Sequence, residues 1–293
     1  MVIERAIEKL KKTGGLPDQD TRLRARAREA ISPSARGSAA TPPPAQRLSF
    51  PSVALDSALL ERNRIIDPSP TAPRTQPGQA AFRILRSRML NKVRSEGWRT
   101  LAVTSPGPGE GKTLVSINLA LSMSREGASD VFLLDLDMRN PSVCRYLGVE
   151  PRREIAEYFQ GTVEPQDLFF SAGSERLSIA GGTMSTDMAS EFVASHLFED
   201  LIAYIQSVAY NPVVLIDLPP MLASDEAIVL APRVDALTLV IAEGRTDRDG
   251  LERTRQMLEG HTLAGIVLNR SSDRLSGSDY YGYGYGSAQG GKP

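Results

Sequence analysis

Residues 100–113 read TLAVTSPGPGEGKT, and this stretch decides the fold that the sequence predicts. It begins as a short apolar strand, continues as a glycine-rich turn and leads into a helix predicted to start at Lys112. Phosphate binding requires unpaired backbone N–H groups at a helix N-terminus, a nearby cation and room for close backbone approach. The residues predicted to donate these N–H groups are Gly109, Glu110, Gly111, Lys112 and Thr113. We expect the Lys112 side chain to supply the charge and the Thr113 hydroxyl to bind Mg²⁺.

Acidic side chains stand at the ends of two later strands. The segment VFLLDLDMR places Asp135 and Asp137 at one strand end, and VVLIDLPP places Asp217 at another. Because the carboxyl ends of parallel strands meet at one edge of a sheet, we expect the three carboxylates to converge beside the phosphate loop. A carboxylate that leaves a buried strand requires a cation, hydrogen-bond donors or water. We predict that Asp217 holds Mg²⁺ through water, and that Asp135 or Asp137 accepts the proton of an attacking hydroxyl group.

Arg139 follows these acids by two residues, and two interpretations of it stay open. In one, its guanidinium group pairs with a nucleotide phosphate, which places it among the nucleotide-binding candidates. In the other, it only neutralises the neighbouring carboxylates.

Apolar strands and amphipathic helices alternate from residue 79 to residue 269. Segments such as VFLL and VVLI are apolar at every position, which is typical of strands buried on both faces of a parallel sheet. The predicted strands are 100–104, 131–135, 177–180, 213–217, 236–242 and 264–268. The predicted helices are 79–93, 112–126, 187–207, 225–230 and 247–259. The sequence therefore predicts an α/β fold with a doubly wound, mainly parallel sheet that binds ligands at its carboxyl edge.

Charge is divided unevenly along the chain. Residues 1–100 hold 19 Lys/Arg against 9 Asp/Glu (+10), and residues 101–293 hold 15 against 26 (−11). A basic front third predicts an arm that meets an anionic surface or partner. Arginines 22, 24, 26 and 28 form its most basic patch; a solvated charge run is the interpretation that we favour over contact with acidic lipid or nucleic acid.

Cysteine usage and hydropathy exclude several classes of protein. Cys144 is the single cysteine of the 293 residues, so a disulfide framework and any multi-cysteine metal or iron–sulfur site are excluded. No apolar run approaches the ~18 residues of a spanning helix. We expect a cytoplasmic protein whose membrane contact is peripheral and depends on a partner.

Composition divides the chain into four parts. Residues 1–13 predict a short amphipathic helix, and residues 14–77 a basic linker rich in Pro, Ala and Arg that is largely disordered. Residues 78–270 contain the alternating strands and helices of the nucleotide-binding domain. Residues 271–293 predict a flexible tail rich in Gly and Tyr.

Three of these segments resemble the motifs of a known family. TSPGPGEGKT, FLLDLDMRNP and VLIDLPP are similar to the Walker A, Walker A′ and Walker B motifs of the bacterial tyrosine autokinases of capsular and exopolysaccharide biosynthesis. The opening ERAIEKLKK resembles the exosortase-associated branch of that family. The resemblance covers the chain from about residue 61 to the C-terminus, and it implies a P-loop NTPase fold of the Walker A/A′ type.

The resemblance also implies an activity, partners and residue roles. The implied activity is ATP- and Mg²⁺-dependent autophosphorylation on tyrosine, beside a transmembrane regulator of polysaccharide chain length at the inner membrane. The expected partners further include other copies of the chain and a tyrosine phosphatase, and they do not include nucleic acid. By resemblance Asp135 and Asp137 serve as base and metal ligand, and Lys112, Thr113 and Asp217 bind nucleotide and metal. Asn269 would contact adenine, although a polar strand end explains it almost as well.

The sequence departs from the family pattern at two places. The family's Glu-x-x-Arg-x-x-Arg oligomerisation helix appears here as Ala80-x-x-Arg83-x-x-Arg86, so the Glu–Arg contact between subunits cannot form as in relatives. Solvent-facing helix charge is the alternative interpretation of both arginines. Pro106 replaces the opening glycine of Walker A, but it precedes the main N–H donors and need not remove a phosphate contact.

Four tyrosines lie close together in the tail, at positions 280, 281, 283 and 285. Alternation with glycine disfavours a stable helix and leaves the rings solvated. We predict that Tyr280, Tyr281, Tyr283 and Tyr285 accept phosphate; stacking contacts of a low-complexity tail are the alternative.

Two other functions compete with the kinase. A partition- or septum-site-type ATPase switch carries a lysine five residues before the Walker lysine, where this chain has Gly107. A non-enzymatic nucleotide-binding adaptor of an export complex would not require three converging acids.

Overall fold

A computed structural model describes residues 49–69, 72 and 78–272 of the chain. These residues belong to one of its two compact units, residues 45–293. The predicted helix at 1–13, the linker up to residue 48 and the four tail tyrosines lie outside the described residues.

The strand that leads into the phosphate loop lies inside the sheet, with a parallel neighbour on each side. In the part of the chain that the structure describes, eight strands form one sheet. They are β1 (Ser52–Val53), β2 (Thr100–Thr104), β3 (Val131–Asp135), β4 (Phe170–Ala172), β5 (Leu177–Ala180), β6 (Val213–Asp217), β7 (Ala236–Ala242) and β8 (Leu263–Asn269).

The spatial order of the strands is β1-β4-β5-β3-β6-β2-β7-β8. The strands from β5 to β8 in this order are parallel, whereas β4 pairs antiparallel with β5 and β1 pairs parallel with β4. The prediction of a mainly parallel sheet is confirmed. The carboxyl ends of β2, β3 and β6, which are neighbours, meet at one edge and bring the predicted site together.

Helices cover both faces of this sheet. They are α1 (Ser57–Arg62), α2 (Gln79–Glu96), α3 (Lys112–Ser124), α4 (Val143–Leu147), α5 (Ile155–Phe159), α6 (Pro165–Leu168), α7 (Ala189–Ala194), α8 (Leu197–Val208), α9 (Glu226–Leu230) and α10 (Arg248–Met257). None of the helices in the described residues is both long and apolar enough to span a bilayer.

Alternate residues of one strand belong to different core layers. Val131 and Leu133 of β3 pack in the layer formed with α2, α3 and α4. Phe132 and Leu134 pack in the opposite layer, with α8 and α9. All four side chains are at most 3% exposed. A strand buried on both faces must be apolar at every position, which explains why the segment VFLL shows no alternation.

Residues 49–69 differ from the prediction, which placed them in the disordered linker. Asp56 caps α1 by accepting the Ala58 N–H at 2.8 Å, and Leu60 is completely buried. The Ile66 N–H donates to Asn118 Oδ1 of α3 at 2.7 Å. A short amphipathic run therefore packs on the domain despite its Pro-rich surroundings, and the boundary that we drew at residue 78 excluded it.

The helix predicted over 187–207 is two helices, α7 and α8. The chain is extended at Ser195, with a ψ of 164°. Arg233 donates hydrogen bonds to the carbonyl groups of Val193 and Ser195, which satisfies acceptors that the end of α7 leaves unpaired. A residue distant in sequence therefore stabilises the break, and periodicity alone did not indicate it.

Candidate active site

The phosphate loop joins the end of β2 to the start of α3 and is fastened to the segment after β6. The Thr104 hydroxyl donates to the Pro219 carbonyl at 2.7 Å, and the Met221 N–H donates to the Ser105 carbonyl at 2.8 Å. These bonds connect the loop to the chain that carries Asp217. Hydrogen bonds to backbone groups therefore hold the phosphate loop close to Asp217, as predicted.

Two glycines of the loop adopt a backbone conformation that favours glycine, and each lies close to another side chain. Gly109 and Gly111 have φ values of +73° and +97°, in the left-handed region that favours glycine. A Cβ on Gly109 would lie 2.7 Å from Nη2 of Arg245, and a Cβ on Gly111 would lie 2.0 Å from Nδ2 of Asn269. A larger residue would displace the Arg245 or the Asn269 side chain and would strain the backbone at its positive φ.

The Glu110 side chain supports the loop from within. Only 3% of this residue is exposed, and its carboxylate accepts the Gly107 N–H at 3.2 Å and the Thr246 hydroxyl at 2.6 Å. Sequence analysis assigned Glu110 only a backbone role. It missed Thr246, which lies 136 positions away and is brought to the loop by the fold.

Lys112 begins α3 and lies among the predicted acids. Its Nζ atom is 2.7 Å from Asp137 Oδ2, 3.5 Å from Asp217 Oδ2 and 3.3 Å from Thr113 Oγ1. Burial alone would lower the pKa of Lys112, but the charges of Asp217 and Asp137 outweigh it and raise that pKa. The ammonium group therefore keeps its proton at neutral pH.

Asp217 lies fully buried against the first turns of α3. Its carboxylate accepts the Thr113 hydroxyl at 2.6 Å and the Ser116 hydroxyl at 3.0 Å. Burial raises the pKa of Asp217 despite the nearby charge of Lys112. The oxygen atoms of Thr113, Asp217 and Asp137 are the hard donors that Mg²⁺ prefers, so the donor set fits this ion. Ser116, one turn after Lys112, was missed because no motif in the surrounding sequence indicates that it contacts Asp217.

Asp135 is also fully buried and differs from its neighbours in how its oxygens are bonded. Oδ2 accepts the N–H groups of Ser142 and Val143, each at 2.8 Å, and Oδ1 accepts the Asp137 N–H at 3.3 Å. Burial, followed by the charge of Asp217, raises the pKa of Asp135 to about 7. Its carboxyl group can therefore exchange a proton near neutral pH.

Arg139 pairs with carboxylates, but not with those that we expected. Its Nε donates to Glu226 Oε1 at 2.5 Å, and its Nη2 lies 3.8 Å from Asp225 Oδ1. The Glu226 side chain is 1% exposed, and its Oε2 atom has no hydrogen-bond partner among the described residues. Glu226 was not predicted, because its role depends on a contact with a residue 87 positions earlier.

The end of β8 rests on the phosphate loop. Asn269 donates from Nδ2 to the Glu110 carbonyl at 2.8 Å, and Arg270 donates from Nη2 to the Gly109 carbonyl at 2.9 Å. Asn269 therefore lies at the site, as predicted. Its amide contacts loop backbone, so an adenine contact stays a prediction.

The arginines of the resembling oligomerisation helix lie on α2. Arg86 donates from Nη1 to the Ser122 carbonyl at 3.2 Å, and its Nε lies 3.6 Å from Glu126 Oε2. Glu126 also pairs with Arg94 at 2.7 Å. Arg86 is therefore tied to α3 of its own chain, whereas Arg83 lies on an exposed face.

The chain is similar to several known proteins. A ParA family model, described as NUBPL iron-transfer P-loop NTPase, matches residues 98–272. The tyrosine-protein kinase CpsD of Streptococcus pneumoniae serotype 4 is 30% identical over 178 residues, which cover 59% of this chain and 76% of that protein.

Two solved structures are also similar to this chain. The kinase domain of VpsO is 28% identical, with a TM-score of 0.58, over 66% of this chain and 94% of that domain. The kinase domain of the Escherichia coli tyrosine kinase ETK shares the fold, with a TM-score of 0.61 and 22% identity, over 78% of this chain and 98% of that domain.

Proposed function

Because this chain belongs to the ParA family of P-loop NTPases and, within that fold, to the bacterial tyrosine-protein kinases, we propose that it transfers the γ-phosphoryl group of ATP to its own C-terminal tyrosines. Kinase activity follows from membership. The acceptor, the metal and the roles of individual residues are our proposal.

The observation that carries the proposal is the position of Lys112 between two acids at the start of α3. The backbone N–H groups from Gly109 to Thr113 bind the phosphates, and the Lys112 ammonium group neutralises their outer charge. Thr113, Asp137 and Asp217 would hold Mg²⁺, which would supply further positive charge to stabilise the reacting phosphate. Arg139 is better explained as the partner of Glu226 than as a direct phosphate ligand.

The acids then divide their tasks by environment. Asp137 and Asp217 lie within 3.5 Å of the Lys112 ammonium group and suit the metal and the charge balance. Asp135 has a pKa of about 7, and its Oδ1 accepts only a long hydrogen bond. We assign to Asp135 the acceptance of the proton that the attacking phenol loses.

The acceptor tyrosines follow the site closely in sequence. The described chain reaches Ser272 just after Arg270, whose side chain touches the phosphate loop. Eight residue steps to Tyr280 span up to about 26 Å, at about 3.3 Å for each residue. This length allows transfer within one chain or to a neighbouring copy.

The proposed setting is polysaccharide synthesis and export. The relative CpsD supports the kinase assignment, while the transmembrane chain-length regulator, an opposing tyrosine phosphatase and the exosortase-associated branch rest on motif resemblance. We place the protein on the cytoplasmic side of the inner membrane, held there by that regulator.

The substitution Lys112→Met tests the site. We expect tyrosine phosphorylation to fall by at least about a hundredfold, because one electrostatic stabiliser of the reacting phosphate is lost. Lys92→Met is the matched control, since Lys92 lies on α2 and donates to the Ala264 carbonyl away from the loop. Phosphotyrosine is measured in purified protein with ATP and Mg²⁺, with circular dichroism as the check on folding.

Two results would count against the proposal. Undiminished phosphotyrosine in Lys112→Met would exclude this loop as the kinase site. ATP hydrolysis by the wild-type protein without any phosphotyrosine would favour the nucleotide-switch alternative.

A further inference from the structure

The last strand of the sheet carries an apolar row that nothing described covers. Leu263, Ile266 and Leu268 of β8, hereafter the β8 stripe, are 40%, 46% and 44% exposed. Strand β8 ends the sheet, and within the described residues no strand pairs with its outer edge. An exposed apolar strand at the edge of a sheet tends to pair with strands of other chains. Proteins therefore rarely leave such an edge uncovered.

The three side chains of the β8 stripe lie on one face of the sheet. They are in register with Leu237, Leu239 and Ile241 of β7, which belong to the core layer that α8 and α10 cover. A register shift at residue 264 keeps Leu263 on the same face as Ile266 and Leu268. The β8 stripe therefore continues a core row beyond the helices that bury it.

The opposite face of β8 is already occupied. Val267 packs on the same small apolar cluster as Phe82 and Leu85 of α2, and the Lys92 ammonium group donates to the Ala264 carbonyl at 2.6 Å. A segment added at the free edge of β8 would thus need bulky apolar groups on one face and little volume on the other.

The chain that follows β8 has this pattern. Residues 281–286 read YGYGYG, so Tyr281, Tyr283 and Tyr285 recur with the period of two that places them on one face of a strand. Glycines occupy the alternate positions and need no room on the face that α2 covers. Aromatic residues beside β-branched or aliphatic residues are favourable cross-strand pairs.

We propose that residues 281–286 add to the free edge of β8 as an antiparallel strand. In this arrangement Tyr281 lies beside Leu268, Tyr283 lies beside Ile266, and residues 270–280 form the connection. The short tether gives the segment a high effective concentration at this edge, which favours it over a second copy of the chain. Unphosphorylated tyrosines are thereby held on the β8 stripe.

Phosphorylation opposes this docking, a consequence that rests on the proposed function. Alternate residues on one face of a strand lie about 7 Å apart. Each phosphate adds roughly −1.5 to −2 charges, so two or three phosphates in one row repel each other and favour release. The docking itself requires no kinase activity. An experiment without ATP can therefore disprove the docking without bearing on the kinase proposal.

Paired cysteines in the full chain test the docking without ATP. The native Cys144 is buried, and burial raises the pKa of its thiol to about 12, so it does not compete. Under mild oxidation, Ile266→Cys with Tyr283→Cys should form an intramolecular disulfide roughly tenfold faster than Ile266→Cys with Gly282→Cys, whose residue 282 faces the other side. Mass spectrometry of the unreduced protein measures both rates.

Other outcomes of this experiment would overturn the proposal. Equal rates of disulfide formation for the two cysteine pairs would mean that the tail contacts the edge of β8 without a fixed strand register. Disulfides between chains, with none within a chain, would identify the occupant of the β8 stripe as a second copy. As a measurement without cysteines, triple Tyr→Ser at 281, 283 and 285 should accelerate amide hydrogen exchange in β8, and unchanged exchange would also exclude the docking.

Discussion

At the scale of single residues, the site is a balance between one cation and three buried acids. Asp135, Asp137 and Asp217 are each at most 4% exposed, yet only the ammonium group of Lys112 lies among them in the described residues. Bringing carboxylates together out of water raises the pKa of at least one of them, and here burial raises the pKa of both Asp135 and Asp217. Hydrogen bonding separates their proposed roles, because Asp217 accepts two side-chain hydroxyl groups whereas Asp135 accepts backbone N–H groups.

The substitution Asp135→Asn tests that separation. We expect the variant to bind Mg²⁺-nucleotide nearly as the wild type does but to lose most phosphoryl transfer, because its amide oxygen can still accept the N–H groups of Ser142 and Val143 but cannot take up the proton. The wild-type single-turnover rate should rise with pH up to about 7, as the Asp135 carboxyl group ionises, and then level off. Titration calorimetry and single-turnover phosphorylation measure the two steps.

Asp217→Asn is the matched comparison for this prediction. It removes a proposed metal ligand, so Mg²⁺-dependent binding should weaken in this variant. Equal loss of binding in both variants, or an unchanged pH profile in Asp135→Asn, would contradict the division of roles.

At the scale of elements, residues 49–69 test how far the folded domain extends. Leu60 of α1 is fully buried beside α3 and α4, whereas Glu61 of the same helix is exposed. Leu60→Ala should lower the free energy of unfolding by about 2–5 kcal/mol, through lost burial and a residual cavity. The control Glu61→Ala should change it by less than about 0.5 kcal/mol. Urea denaturation measures both changes. If the two variants were equally stable, the segment 49–69 would not be part of the folded domain.

Six of the eight strands in the described residues were predicted from their apolar sequences, whereas β1 and β4, of two and three residues, were missed. Observed bounds of β2, β3, β5, β6 and β7 coincide with the predicted ones. The short helices α4, α5 and α6 were missed, since four or five residues carry too little periodicity to be recognised. Segment 49–69 was missed because its apolar residues are few within a Pro-rich surrounding, and their burial depends on contacts with α3.

The site was predictable to the same extent, and for a related reason. The phosphate loop and the acids stand at strand ends, where the topology alone brings them together. Thr246 and Glu226 could not be found this way, because each acts through one side chain more than 80 positions away. Such pairs follow from packing and leave no local pattern in the sequence.

At the scale of the whole molecule, a basic front third precedes an acidic nucleotide-binding domain and a tyrosine-rich tail. Phosphates added to the tail increase the negative charge near an already acidic surface, and like charges repel. Autophosphorylation would therefore alter association between copies. In this chain, Arg86 is engaged by Glu126, and Ala80 replaces the acid expected at that helix, so assembly would depend on other contacts.

The most direct test of the central claim mixes two variants of the full chain. Lys112→Met keeps the acceptors without activity, and the second variant, with Phe at Tyr280, Tyr281, Tyr283 and Tyr285, keeps the active site without phenolic oxygens in the tail. With ATP and Mg²⁺, each variant alone should remain almost unphosphorylated. In the mixture, mass spectrometry should find phosphate on the tail of the Lys112→Met chain, because the tether permits transfer between copies. If the four-Phe chain alone becomes phosphorylated as fully as the wild type, the tail is not the acceptor and the account is wrong.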